Sequence, residues 1–158
     1  MMILLVISTV FSLCYLALSV KVSGGIPESL SATYYALGSR GWLFQVFMAS
    51  FSLCLLPVWI SVSGDSFRCL AFLSCASLLF VAAAPCFRME PEGKVHYTAA
   101  VVCCVCGVLW QVLEGMWDVT LWFAFLFGML SLQWRDKWCW WLECAVAGSI
   151  LANLYRMV

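Results

Sequence analysis

The sequence predicts an all-α fold: a polytopic transmembrane bundle of six helical spans, with short loops and little mass outside the bilayer. Three observations predict it. Of 158 residues, 65% are hydrophobic and 10% charged, at a mean hydropathy of +1.02, whereas a soluble domain carries roughly 45–50% apolar and about 25% charged residues. Apolar runs recur from one end of the chain to the other, and the charges collect between them. Lipid offers no partner for backbone N–H and C=O groups, so a chain of this composition satisfies them within helices.

The spans fall at about 2–20, 41–60, 67–84, 96–113, 117–133 and 138–155, within a single transmembrane domain covering 1–158. A span needs roughly 17–25 residues. The first run has the hydrophobicity of a signal peptide but no basic residue before Lys21, so it is read as a retained helix. The second begins after Gly38-Ser-Arg-Gly41, and Pro85 ends the third. The fifth is the weakest, free of charge and strong polarity only from Val119 to Leu132. Its aromatic residues, Trp122, Phe123, Phe125 and Phe127 among them, argue that it belongs in lipid. Were it a re-entrant hairpin, the C-terminus would change sides.

Loop charge sets the expected orientation. Loops one, three and five hold Lys21, Arg40, Arg88, Lys94, Arg135 and Lys137, and the opposite side holds Arg68 and Arg156. The positive-inside rule places the odd-numbered loops in the cytoplasm and both termini outside, as in a multi-pass protein of a cell inner (cytoplasmic) membrane. Trp42, Trp134, Trp138, Trp140 and Trp141 then lie at cytoplasmic helix ends, and Trp59, Trp110 and Trp117 at the others. Interfacial anchoring accounts for most of them. Three tryptophans within 138–141 are denser than anchoring requires, and a lipid or partner contact is the alternative there.

Several function classes are excluded or left without a motif. Net charge is zero and no stretch is basic enough for nucleic acid. The ten cysteines lie mostly in apolar runs, where they pack as small hydrophobes. There is no Cys-x-x-Cys, and one histidine is too few for a zinc pattern, so neither a metal nor a cofactor is expected. Only Cys103, Cys104 and Cys106 cluster, and helix packing is their plainest role. Nucleophile elbows, zinc-protease helices, phosphate loops and dinucleotide fingerprints are absent.

Loop one, from Lys21 to Arg40, is the longest connector. Gly24-Gly25 permits a sharp turn, and Pro27-Glu28 suits the first turn of a short interfacial helix over about 27–37. Ile26, Leu30, Leu37 and Tyr34 would face the membrane on it. The plainer reading is a connector lying flat on the bilayer.

Polar residues inside spans need a reason, because a charge in hydrocarbon pairs, faces the protein interior or serves a site. Glu143 stands about five residues into the sixth span. Its structural reading is an ion pair with an Arg or Lys of loop three or five. Its functional reading is a proton or cation ligand, an acid or base, or a headgroup contact. Gln45, His96 and Tyr97 lie at comparable depth on the same side, with Arg40 and Arg88 nearby, so these six residues are the candidate ligand-binding set. No catalytic residue is assigned, and His96 and Glu143 are the only candidates, as a base and an acid. On the opposite side Gln111, Glu114 and Asp118 form either an acidic mouth or a solvated hairpin tip.

In helix count, short loops and a His-x-x-x-Ala opening the fourth span (His96 to Ala100), the chain resembles the small, uncharacterised six-helix bacterial integral membrane proteins. That resemblance is one of layout and implies a fold, not a chemistry. Its many cysteines and tryptophans depart from an ordinary lipid-facing composition.

Three functions are weighed. The chain binds a membrane lipid or a membrane protein partner through loop one and the Trp-rich end of the sixth span, which asks least of the sequence. Alternatively, it is a small oligomeric channel or transporter, a homo-oligomer with Glu143 and Gln45 in the path. A membrane-embedded lipid-modifying enzyme using His96 and Glu143 asks most, and a non-enzymatic role is the expectation.

Overall fold

A computed structural model describes all residues from Met1 to Val158. Six long helices fall on the six apolar runs: α1 (Met2–Ser23), α3 (Trp42–Val62), α4 (Arg68–Ala83), α5 (Glu92–Leu113), α6 (Trp117–Gln133) and α7 (Trp138–Met157). Loop one contributes only the single turn α2 (Thr33–Ala36), followed by a 3₁₀ turn at Gly38–Arg40. A second 3₁₀ turn, Arg135–Lys137, joins α6 to α7.

Three of these helical segments, Met2–Ser23, Gly38–Val62 and Glu92–Leu113, are long and apolar enough to cross a membrane, while Arg68–Ala83 and Trp117–Gln133 are apolar but shorter. α7 is long enough but carries Glu143, Asn153 and Arg156. The bundle is turned outward: only 38 of 158 residues are buried, and large apolar side chains such as Ile3, Leu13, Leu53, Phe80, Val101 and Trp122 stand exposed. Such a surface suits hydrocarbon as its solvent, consistent with an integral membrane protein.

Successive helices run antiparallel, and the neighbours α3–α4, α4–α5 and α6–α7 make the most extensive contacts. Loops one, three and five gather at one end, and loops two and four with both termini gather at the other. The core has two parts. Towards the termini, Leu5, Leu55, Trp59, Trp110, Ile150 and Leu154 pack together, with Trp59 and Trp110 edge to face at 5.1 Å. Towards loop one, Tyr15, Phe44, Met48, Val81, Ala82 and Ala99 do so, with Leu30 and Tyr34 of loop one packed against them.

Apolar burial does not drive helices together within lipid, so small residues and interhelical hydrogen bonds matter more. The Ser52 hydroxyl donates to the Cys75 carbonyl at 2.7 Å, tying α3 to α4, and Ser74 donates to the Cys103 carbonyl at 2.9 Å, tying α4 to α5. The Asn153 amide donates to Gln111 Oε1 at 2.8 Å, and the Thr120 hydroxyl donates to the same oxygen at 2.9 Å, joining α7, α5 and α6. Gly107 marks the tightest crossing of α5: a Cβ there would meet Ile150 Cδ1 at 2.8 Å and Ser74 Oγ at 3.4 Å.

Three expectations are corrected. Trp59 and Trp110 are core residues, 2% and 0% exposed, rather than interfacial anchors, and the Trp110 indole donates to Ser63 Oγ at 2.8 Å. The helix expected over 27–37 shrinks to Thr33–Ala36, because the residues before it spend their hydrogen bonds on other helices. Leu30 and Tyr34 consequently turn into the core rather than towards lipid.

Gly107→Leu is expected to overpack this crossing and destabilise the protein by about 1–3 kcal/mol. Thermal unfolding in detergent measures it, and an unchanged midpoint would contradict the close approach.

Candidate functional site

Helix ends leave backbone groups without intrahelical partners, and water satisfies few of them at the edge of a bilayer. α1 ends at Gly24, whose φ of 68° suits glycine, and the Gly25 N–H closes the turn onto the Val20 carbonyl at 3.0 Å. The chain then folds back over the helix ends as a strap, residues 24–41. α4 stops early, at Ala83, because Pro85 cannot continue it.

The candidate residues serve these ends. Gln45 Nε2 donates to the Ala82 carbonyl at 3.3 Å, one of the free carbonyls of α4. His96 Nδ1 lies 2.9 Å from the Ala84 carbonyl and Nε2 lies 2.9 Å from Ser31 Oγ. A carbonyl can only accept, so Nδ1 carries the proton and Nε2 accepts from the Ser31 hydroxyl. Both groups are enclosed, His96 at 3% and Ser31 at 6% exposure. Glu143 Oε2 accepts the Leu30 backbone N–H at 2.6 Å, and Cys139, one turn earlier on α7, flanks the carboxyl. Beside it the Trp140 N–H, in the unsatisfied first turn of α7, donates to the Glu28 carbonyl at 3.2 Å.

His96 and Glu143 thus hold consecutive strap residues, Ser31 and Leu30, from two different helices. Glu143 enters no ion pair. All four ion pairs, Arg68–Asp65, Lys94–Glu90, Lys137–Asp136 and Arg156–Asp118, lie at loops and helix ends, so the expected partner from loop three or five is replaced by a backbone amide.

The remaining candidates do not join the latch. Tyr97 points outward at 59% exposure, and Arg40 is exposed. The Arg88 guanidinium lies 4.4 Å from the centre of the Tyr35 ring, and its backbone N–H donates to the Tyr35 hydroxyl at 2.9 Å. The Tyr34 hydroxyl sits 3.4 Å from Cys86 Sγ. That hydrogen bond, then burial, raises the Tyr34 phenol above its ordinary range, so the strap keeps a neutral tyrosine there.

No acidic mouth forms at the opposite end. Gln111 is fully buried, Glu114 accepts the Gly64 N–H at 2.7 Å, and Asp118 takes both its oxygens to Arg156 at 2.9 Å. All ten cysteines are free, and no three His, Cys, Asp or Glu side chains converge as a metal site would need.

Two recesses lie on α6: an open one of about 410 Å³ against Trp117, Asp118, Leu121, Trp122 and Phe125, and a more enclosed one facing α7. A cleft of about 300 Å³ runs between α6 and α7 with Val108 of α5 behind it. Ala124, Gly128 and Ser131 line one side, and Trp138, Trp141, Ala145 and Ser149 the other. It exists because α6 leans on α7 and contacts α5 far less, and no residue of α6 is buried. Where the two helices do close, Phe123 fills the surface of Gly148, whose added Cβ would meet the ring at 2.5 Å. At Gly128 an added Cβ would meet nothing within 4 Å. Sequence reasoning missed this cleft, although Ala124 and Gly128 at i,i+4 are a small-residue signal. It also missed Ser31, which carries no local signal.

No protein-family model, curated protein or solved structure matches the chain.

Glu143→Leu is expected to free the Leu30 N–H and loosen the strap, at about 1–3 kcal/mol. Tryptic cleavage after Lys21 or Arg40 then accelerates on the order of tenfold. Glu143→Gln keeps an accepting oxygen in place and stays near wild type. Equal protection in Glu143→Leu would refute the latch.

Proposed function

We propose that the chain is a six-span integral membrane protein that binds a membrane lipid, taking an acyl chain into the cleft between α6 and α7. The six long helices alternate in direction, and the charge of loops one, three and five puts that end in the cytoplasm. The strap seals it, and the polar residues beneath are structural.

The cleft carries this reading. Its lining is mostly apolar, from Val108, Ala124 and Phe127 to Trp141, Leu142 and Val146, and the neighbouring face of α6 exposes Leu121, Phe125, Met129 and Leu132, a surface that suits hydrocarbon. Packed matter does not leave such a space empty, because its lining would lose dispersion contacts. From Trp138 to Ser149 it extends over about 16 Å of helical rise. That equals the hydrocarbon of one leaflet, half of a core about 30 Å thick.

Native mass spectrometry after mild detergent extraction tests this. Wild type is expected to retain lipid, Gly128→Leu to lose it by filling the cleft, and Glu143→Gln to keep it. A Gly128→Leu protein that retains lipid as wild type does would sink the assignment.

One observation favours a second, enzymatic reading: Ser31 Oγ and His96 Nε2, 2.9 Å apart, stand as a nucleophile and its base would. Opening of the strap would have to expose them. Incubation with a fluorophosphonate probe separates the readings. Lipid binding with a sealed strap expects no adduct, whereas labelling abolished by Ser31→Ala would favour an enzyme.

A further inference from the structure

We infer that the lipid in the cleft is a glycerophospholipid whose phosphate is taken by Arg135, so that headgroup and chain are recognised by one continuous site. The inference rests on the acyl-chain reading above and adds the chemical class of the ligand.

The cleft has a defined upper end. Ser131 and Trp138 line it there, and the chain between them is the end of α6, Trp134 and the short turn Arg135–Asp136–Lys137. A lipid whose chain lies along Ala145 and Trp141 therefore presents its glycerol and headgroup at that turn. Two of its three residues are cationic, and they are not equivalent. Lys137 is held 3.2 Å from Asp136 with its side chain 25% exposed. Arg135 is exposed and enters no ion pair. An unpaired guanidinium at the headgroup level matches a phosphodiester, which accepts two parallel N–H donors. Trp138 beside it is 60% exposed, an amphipathic ring at the same depth.

The other charges at this end define the match. Asp136 is occupied by Lys137, and Glu28 is brought near the start of α7 by the bond from Trp140 N–H to the Glu28 carbonyl. Lys21 and Arg40 at this end also enter no ion pair, but they belong to loop one, so Arg135 is the free cation of the turn that closes the cleft. Recognition is of the phosphate itself, common to zwitterionic and anionic phospholipids. Lipids without a phosphate, such as diacylglycerol, would enter the cleft but lack the anchor.

The test uses the full chain reconstituted in vesicles with trace lipids carrying a photoactivatable group on one acyl chain: phosphatidylcholine in one preparation, diacylglycerol in the other. Adducts are mapped by peptide mass spectrometry and normalised to those on the exposed face of α1 around Leu13. An exposed cation–anion pair contributes up to about 1 kcal/mol, or about fivefold. Wild type is expected to show up to about fivefold more cleft labelling by phosphatidylcholine than by diacylglycerol. Arg135→Gln, at an exposed position, removes the difference. Cleft labelling by both tracers at equal levels in wild type would overturn the phosphate inference and leave the acyl-chain reading standing. Absence of any cleft enrichment with either tracer would overturn both. The wild-type comparison needs no variant, so it decides even if Arg135→Gln folds poorly.

Discussion

Backbone groups that water cannot reach must find partners inside the protein, and this requirement organises one whole end of the bundle. α4 ends early at Pro85 and leaves carbonyls bare; Gln45 and His96 reach across from α3 and α5 to take them. α7 begins there with free N–H groups, and the strap carbonyl at Glu28 accepts one. The strap brings its own donor at Leu30, and Glu143 accepts it. Gln45, His96 and Glu143, which looked like reactive groups from their depth in a span, are each spent on a backbone atom. The strap is as much a part of the helix ends as a cap is of an isolated helix.

That closure shifts attention to the flank of the bundle. α3, α4 and α5 are stitched by serine hydroxyls onto neighbouring carbonyls, whereas α6 is held by Thr120 near its start, by the Phe123–Gly148 contact and by aromatic contacts of Phe127 with Trp141. Along this stretch the small residues Ala124 and Gly128 line one wall of the cleft and Ala145 and Ser149 the other, and an added Cβ on Gly128 would meet nothing within 4 Å. A helix anchored in this way leaves a slot along α7 from Trp138 to Ser149. A close-packed interior tolerates few such spaces, and at a lipid-facing surface the natural filling is a lipid chain.

The helices were legible because apolar periodicity and the placement of Gly, Pro and charge are local properties. Gly24-Gly25 and Pro85 mark their turns in the sequence itself. Glu143, Gln45 and His96 were also legible as residues that need a reason, since burial cost attaches to the residue type. Their partners were not. The Leu30 amide, the Ser31 hydroxyl and the Ala82 and Ala84 carbonyls carry no signal, because backbone groups are the same at every position. Loop one failed as a helix for a related reason: propensity favoured 27–37, and tertiary bonds at Leu30 and Ser31 took precedence. Trp59 and Trp110 sit near helix ends as anchors do, and only packing of three helices around them reveals a core pair.

The central claim is that the polar end is closed by backbone satisfaction while the ligand site faces lipid. A high-resolution structure of the protein in a lipid nanodisc tests it most directly. The account predicts elongated lipid density along Gly128 and Ala145, with Glu143 still bonded to the Leu30 amide beneath an ordered strap. A water-filled passage joining Gln45, His96 and Glu143, with the strap displaced and the α6–α7 cleft collapsed, would contradict it.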